Sequence, residues 1–318
     1  MDSINQIVVG VAMPESWPWE AANLGSATRI AVRQGFQLAS QLGVALKLVS
    51  VLDEPDVGFF GSAKDADKQA TAEKQRARKV LDDLCSDHKE LNADVASTIV
   101  TGSAWLEILK AAEASRQCLI VCGTREQSTV SRVLFGSTGL KLLRNAPGPV
   151  WLVKPRMDDD AIVDVLAATD LSEVGIDIIA AGVTLGRALP VNFTVMHVID
   201  TELDRRVART GASQEKIEGW KERDRQLAEE QLHEQISATD IRTLPNGFQT
   251  QLAEGSADDC LLSAIDDLDI DLLIIASSGR GGIPGMLFGN TAERLLPELP
   301  CSLLAVKPHD FVCPVAIN

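Results

Sequence analysis

The chain has 318 residues, 45% of them apolar, and a formal net charge of −15 at pH 7. That length exceeds the size at which single hydrophobic cores usually stop growing, so two domains are expected. The charge argues against nucleic acid, whose phosphates need clustered Lys and Arg, and against an anionic membrane surface; a phosphate-bearing ligand would have to be held by local dipoles.

The first element is Ile7-Val8-Val9-Gly10-Val11, a short continuous apolar run of the kind expected for a strand buried on both faces. A helical pattern follows at 27–42 and a second strand at 46–52. Residues 64–89 are charged with spaced Val80, Leu81 and Leu84, an amphipathic helix. A strand at 94–100, a helix at 104–114, a strand at 119–122, a helix at 138–145 and a strand at 150–153 complete the first half. The segment 154–162, with Pro155 and three consecutive aspartates, has the composition of a linker. The second half repeats the order, with strands near 163–168, 192–199, 248–253, 272–276 and 302–306. Its long second helix near 213–235 carries Ile217, Trp220, Leu227 and Leu232 on or near one stripe. Alternating strands and helices imply an α/β fold with parallel sheets and right-handed crossovers.

The repeat is explicit. Leu134-Phe135-Gly136-Ser137-Thr138 returns as Leu287-Phe288-Gly289-Asn290-Thr291, 153 residues later. Gly102-Ser103-Ala104 and Val153-Lys154-Pro155 recur at the same offset as Gly255-Ser256-Ala257 and Val306-Lys307-Pro308. The first helix and second strand align at 147, with Gly35 on Gly182, Leu38 on Leu185 and Val51 on Val198, and the first strands align at roughly 156. Two domains are therefore expected at 1–156 and 157–318. The extra residues around Trp17-Pro18-Trp19 lie in a loop of the first copy.

Chemistry is expected in the loop after the fourth strand of each copy, 123–138 and 276–291. In open parallel sheets ligands bind beyond the carboxyl ends of the strands, where strand order reverses. Glycine there admits a phosphate to the backbone, and the following helix start offers unpaired N–H groups. Ser137, Thr138 and Thr291 add hydroxyls. A plain loop around Gly279-Arg280-Gly281-Gly282 and a simple turn at Gly289 are the competing reading.

On these residues the chain resembles the universal stress protein family in its tandem two-domain form, over nearly its whole length. The resemblance implies two adenine nucleotide alpha hydrolase-like domains, each a five-stranded parallel sheet of order 3-2-1-4-5 sandwiched by helices. It also implies ATP, with or without magnesium, as ligand. The family's motif is glycine, two residues, glycine, nine residues, glycine, then serine or threonine. In the second copy this frame falls on Ala276, Gly279, Gly289 and Asn290, with Thr291 behind; in the first it falls on Gly123, Glu126, Gly136 and Ser137. Each copy departs from the frame, at Ala276 and Asn290 in one and at Glu126 in the other. Arg280 and Arg125 lie one residue from it and read either as phosphate partners or as solvated loop arginines. Binding members carry a Thr-Asp step after strand one, matched by Thr169-Asp170; the first copy has Ala12-Met13-Pro14 there. The family sets backbone groups of an apolar residue at the end of strand two against adenine. Val198 fits, with Val51 as its counterpart. The second copy is thus the better candidate. The resemblance further implies antiparallel pairing of the apolar last strands, here as a pseudo-dimer within one chain, with further homodimerisation open.

Enzymatic constellations are missing. Among the four histidines, His88 and His233 read as solvated and His197 as packed, while His309 follows Lys307-Pro308. No spacing suggests zinc, and the P-loop lysine motif does not occur. Trp105, Trp151 and Trp220 read as core or interface mass, and Trp17 and Trp19 as a lid over the first copy. The six cysteines form no C-x-x-C pair and read as reduced structural thiols. The N-terminus shows no signal peptide, and no apolar run reaches the ~18 residues that span a bilayer, so a cytoplasmic location is expected. The expected function is an adenine-nucleotide-binding regulator or switch of stress response, with hydrolysis at most slow. The alternatives are a nucleotide-free tandem scaffold for protein interaction and an adenylate-transferring enzyme.

Overall fold

The computed structural model describes residues 4–54, 63–124, 135–155, 162–201, 214–277 and 290–315. These divide into two compact units, one within 3–160 together with residues from 312 onward, the other within 161–311. The junction read as a linker lies mostly outside the described residues.

The first unit contains β1 (Gln6–Gly10), α1 (Ser26–Leu42), β2 (Ala45–Leu52), α2 (Ala63–Asp87), β3 (Val95–Thr101), α3 (Ala104–Ala111), β4 (Cys118–Gly123), α4 (Ser137–Asn145) and β5 (Val150–Val153). The second contains β6 (Asp164–Ala168), α5 (Val174–Ala188), β7 (Asn192–Asp200), α6 (Gln214–Ser237), β8 (Gln249–Gly255), α7 (Ala257–Asp267), β9 (Leu272–Ala276), α8 (Asn290–Leu295) and β10 (Ser302–Val306). The first sheet runs β3-β2-β1-β4-β5 and the second β8-β7-β6-β9-β10, every neighbouring pair parallel. Both have the order 3-2-1-4-5, so order reverses beside β1 in one unit and beside β6 in the other.

Local chemistry explains the elements. Ile7, Val8 and Val9 have no solvent exposure, as a central strand covered on both faces requires. Helix α1 ends where Gly43 adopts φ 65°, the left-handed cap that glycine tolerates, and its N–H closes on Ala39 O. The paired glycines Gly35 and Gly182 sit where helix meets sheet. A Cβ would lie 2.5 Å from Val9 Cγ2 at Gly35 and 2.0 Å from Phe193 Cζ at Gly182. Close helix–strand packing therefore fixes glycine in both copies. Helix α2 buries Ala77, Val80, Leu81 and Leu84, the stripe expected of it. Among its described residues, helix α6 buries Ala228, Leu232, Gln235 and Ile236 near its end, while Trp220 and Leu227 are exposed. The first-copy helix expected at 104–114 stops at Ala111, because Glu113 and Ala114 turn to positive φ.

Both last strands are buried at every residue, Trp151 included. The repeated lysines close them in the same manner: Lys154 Nζ lies 4.8 Å from the Phe135 ring and Lys307 Nζ 4.2 Å from the Phe311 ring. Trp17 is exposed at 66% and packs against the Arg76 guanidinium of α2, 4.6 Å away. His88 departs from the solvated reading: its ring stacks on Phe36 at 4.6 Å and its Nδ1 donates to Leu84 O at 2.9 Å. His233 is exposed, as expected of a charged helix face.

Candidate functional site

The switch point of the second unit falls between β6 and β9. Beyond β6 come Thr169 and Asp170; beyond β9 comes Ser277, buried and held by its N–H to Val306 O at 2.8 Å. Ala276 closes β9 and is partly exposed. Gly279, Arg280 and Gly289 lie outside the described residues, as do Arg125 and Glu126 of the first copy. Description resumes at α8, where Thr291 is half-buried.

The step after β6 is held by a polar hub. The Thr169 hydroxyl donates to Gln235 Oε1 at 2.8 Å and accepts from Leu171 N at 3.0 Å. Gln235 Nε2 donates to Ser172 O at 2.6 Å. His197 Nδ1, which faces a carbonyl and so carries the proton, donates to Thr169 O at 2.8 Å. Asp170 accepts from Ser172 N at 3.0 Å and from its hydroxyl at 2.5 Å, both on Oδ1. Leu171 between them takes φ 61°, a strained conformation that these bonds over-determine. Gly175, in the first turn of α5, leaves room for the hub: a Cβ there would stand 2.2 Å from Thr169 Oγ1 and 2.4 Å from Gln235 Oε1. Asp170 is thus half-exposed and rigidly presented at the strand end, while Thr169 is 4% exposed and engaged inward. Among the sequence candidates, Asp170 is partly exposed and Thr169 acts through the turn.

Register accounts for Val198. Thr169 N bonds to Met196 O at 2.9 Å, the last contact of β7 toward β6. Val198 stands two residues on, so its backbone groups point the same way, past the end of β6. An amide edge is therefore offered above Thr169–Asp170. The first copy has the same backbone: Val11 N bonds to Val49 O at 2.8 Å, and Val51 lies two residues on. Since Gly10 pairs with Val49 and Ala168 with Met196, Gly10 corresponds to Ala168, an offset of 158 residues rather than roughly 156. Val11 and Ala12 then stand where Thr169 and Asp170 stand, and Ser50 stands at the His197 position. Ser50 Oγ is buried without a partner among the described residues.

The first-copy glycines have different reasons to exist. A Cβ on Gly123 would lie 2.7 Å from both Ala27 C and Thr28 N, so packing of the first turn of α1 onto the end of β4 already requires glycine there. Gly136 precedes α4 at φ −64°, and a Cβ would meet nothing within 4 Å. Among the described residues, neither backbone conformation nor space demands glycine at 136. Ser137 is exposed and Thr138 half-buried at the start of α4, with no side-chain cap formed. Helix α4 has nine residues and α8 has six.

No described helix is long and apolar enough to cross a membrane, and among the described residues no three metal-ligating side chains gather. None of the six cysteines forms a disulfide. Burial pushes the Cys118 and Cys122 thiols up to about 12, so both are neutral, inert side chains of β4 near neutral pH.

Gln235 and His197 build the site without a signal in the sequence pattern. Gln235 is 66 positions from Thr169, and no spacing announces such a pair. His197 looked like packing, yet its hydrogen bond fixes the strand end.

Comparison with known proteins bears on this geometry. The universal stress protein family model matches residues 21–154 and 164–307. Universal stress protein E of Escherichia coli K12 is 24% identical over 217 residues, which is 63% of this chain and 64% of that protein, so the match spans under two thirds of the curated relative's length. A universal stress protein of Mycolicibacterium smegmatis is 47% identical over 51 residues, 16% of this chain and 39% of that one. Among solved structures, a universal stress protein of Archaeoglobus fulgidus superposes with TM-score 0.64 at 16% identity, covering 96% of this chain and 98% of its own. A Pseudomonas aeruginosa UCBPP-PA14 protein described as a universal stress protein superposes with TM-score 0.68 at 20% identity, covering 97% and 95%. These two superpositions speak to fold. With both halves of the repeat matched by one family model, the chain belongs to the universal stress protein family.

Proposed function

We propose that the C-terminal domain binds an adenine nucleotide, ATP in the first instance, and that the chain acts as a cytoplasmic regulator of stress response through that binding. One observation carries the reading: at the switch point beside β6, the half-exposed Asp170 and the outward amide edge of Val198 stand together at the strand ends. A carboxylate suits ribose hydroxyls, and a backbone donor–acceptor edge suits adenine. The hub of Thr169, Gln235 and His197 keeps Asp170 in place before the ligand arrives, which lowers the ordering cost of binding. Phosphates would extend toward Gly279, Arg280, Gly289, Asn290 and Thr291. The N-terminal domain lacks the carboxylate, with Ala12 at the corresponding place, and offers the Val51 backbone with Gly136, Ser137 and Thr138.

Calorimetric titration of the full chain with ATP tests this. Binding is expected at one strong site, weakened roughly tenfold or more in Asp170→Ala, the loss of about 1.4 kcal/mol that one charge-assisted contact carries. Gly289→Trp should abolish it. No heat with the wild-type chain, or an unchanged affinity in Asp170→Ala, would overturn the reading and leave the nucleotide-free scaffold.

A further inference from the structure

Helix α1, the end of α2 and the short 3-10 turn Ala21–Asn23 border a half-open recess of about 260 Å3. It falls just below the 300–1,000 Å3 usual for drug-sized ligands, a size for a small metabolite. Two guanidinium groups, Arg29 and Arg33, line it together with Ile30, Leu84, Asp87 and His88.

The lining is prepared rather than loose. Arg29 Nη1 donates to Leu24 O at 2.7 Å, which fixes that side chain. The His88 ring is clamped by stacking on Phe36 and by its Nδ1 bond to Leu84 O, so in the neutral ring Nε2 remains as an acceptor. Arg33 is different. Its Nη2 is shut off from solvent and has no hydrogen-bond partner among the described residues. That N–H does not open into the recess; the rest of the half-buried Arg33 side chain lines it, and a guanidinium fork matches an oxyanion.

Charge points the same way. Arg29 and Arg33 are four apart on one helix and repel each other, and α1 contains no acidic residue to offset them. Among the described residues lining the recess, Asp87 is the one carboxylate beside two arginines. The chain as a whole carries −15, so a cationic recess is not an accident of composition. The other copy has Ile176 and Ala180 at the positions of Arg29 and Arg33, so the feature belongs to the N-terminal domain alone.

We propose that this cavity is a binding site for a small metabolite bearing an oxyanion, a carboxylate or a phosphate, gripped by Arg33 with Arg29 as second cation. Ile30 and Leu84 take its apolar part. The domain whose strand-one carboxylate is replaced by Ala12 thus holds a site of different chemistry, and the two copies read two different ligands.

Thermal unfolding of the full chain tests this with inorganic phosphate and with succinate, each against sodium chloride at matched ionic strength. At least one oxyanion is expected to raise the N-terminal transition above the chloride control. Phosphate acting alone identifies a phosphate ligand, and succinate acting alone a carboxylate. The midpoint should weaken roughly tenfold in Arg33→Gln and less in Arg33→Lys, which keeps the charge and loses the fork. Arg29→Gln should weaken it as well, and stands in if Arg33→Gln does not fold. Arg225→Gln, at an exposed arginine of α6, should leave it unchanged. If neither oxyanion exceeds chloride, or if the gain survives both Arg33→Gln and Arg29→Gln, the site does not exist.

Discussion

Thr169→Val probes the hub directly. The substitution keeps the branched shape and removes the hydroxyl, deleting the 2.8 Å bond to Gln235 Oε1 and the 3.0 Å bond from Leu171 N. Gln235 is 8% exposed, so its Oε1 finds no water in place of the lost donor. Leaving a buried acceptor unpaired costs about 1–3 kcal/mol. For a domain of this size, each kcal/mol moves the transition by roughly 2–4 °C, so a mid-range loss of ~2 kcal/mol lowers it by roughly 4–8 °C. Scanning calorimetry on the full chain reads this out, with the N-terminal transition as an internal control that should not move. Adding Gln235→Leu removes the stranded acceptor. The double variant should then be less destabilised than the sum of the singles by about 0.5–3 kcal/mol, the coupling expected of residues in direct contact. ATP affinity should fall alongside, because the loosened turn no longer presents Asp170. A C-terminal transition lowered by less than about 1 °C would refute the hub's role, since it would put the cost well below that of an unpaired buried acceptor. Strict additivity of the two substitutions would refute the pairing.

The two first-copy glycines should separate cleanly. Gly123→Ala, with its Cβ 2.7 Å from the backbone of Ala27 and Thr28, should cost about 1–3 kcal/mol by denaturant unfolding. Gly136→Ala meets nothing within 4 Å among the described residues and should stay within about 0.5 kcal/mol of wild type. Cys118 and Cys122 predict the alkaline limb of stability. Their thiols are raised by desolvation from 9.0 to about 12, so the unfolded chain releases these protons first as pH rises. Their contribution is complete below pH 9 and is lost between 9 and about 12, and Cys122→Ala should flatten that slope.

The fold was legible because its signals are periodic and local. Continuous apolar runs placed the buried strands, and the offsets of 153 and 147 residues tied the two halves together before any coordinates. Asp170 and Val198 were reachable through the family resemblance, since each sits at a strand end that the pattern locates. Gly123 and Gly136 looked alike in one motif. Only packing against Ala27 and Thr28 shows that the first is a steric necessity.

The sequence by itself determined the duplication, the alternation of strand and helix, and which copy keeps the acid after strand one. Tertiary structure alone decided the rest, because it depends on contacts between distant segments. The offset of 158 at the first strands emerged from register, since pairing rather than residue identity aligns Gly10 with Ala168. The hub needed Gln235 to meet Thr169 across 66 positions. The cavity of Arg29 and Arg33 needed α2 to return His88 against Phe36. A chain states which residues it carries, and only folding states which of them lose their water together.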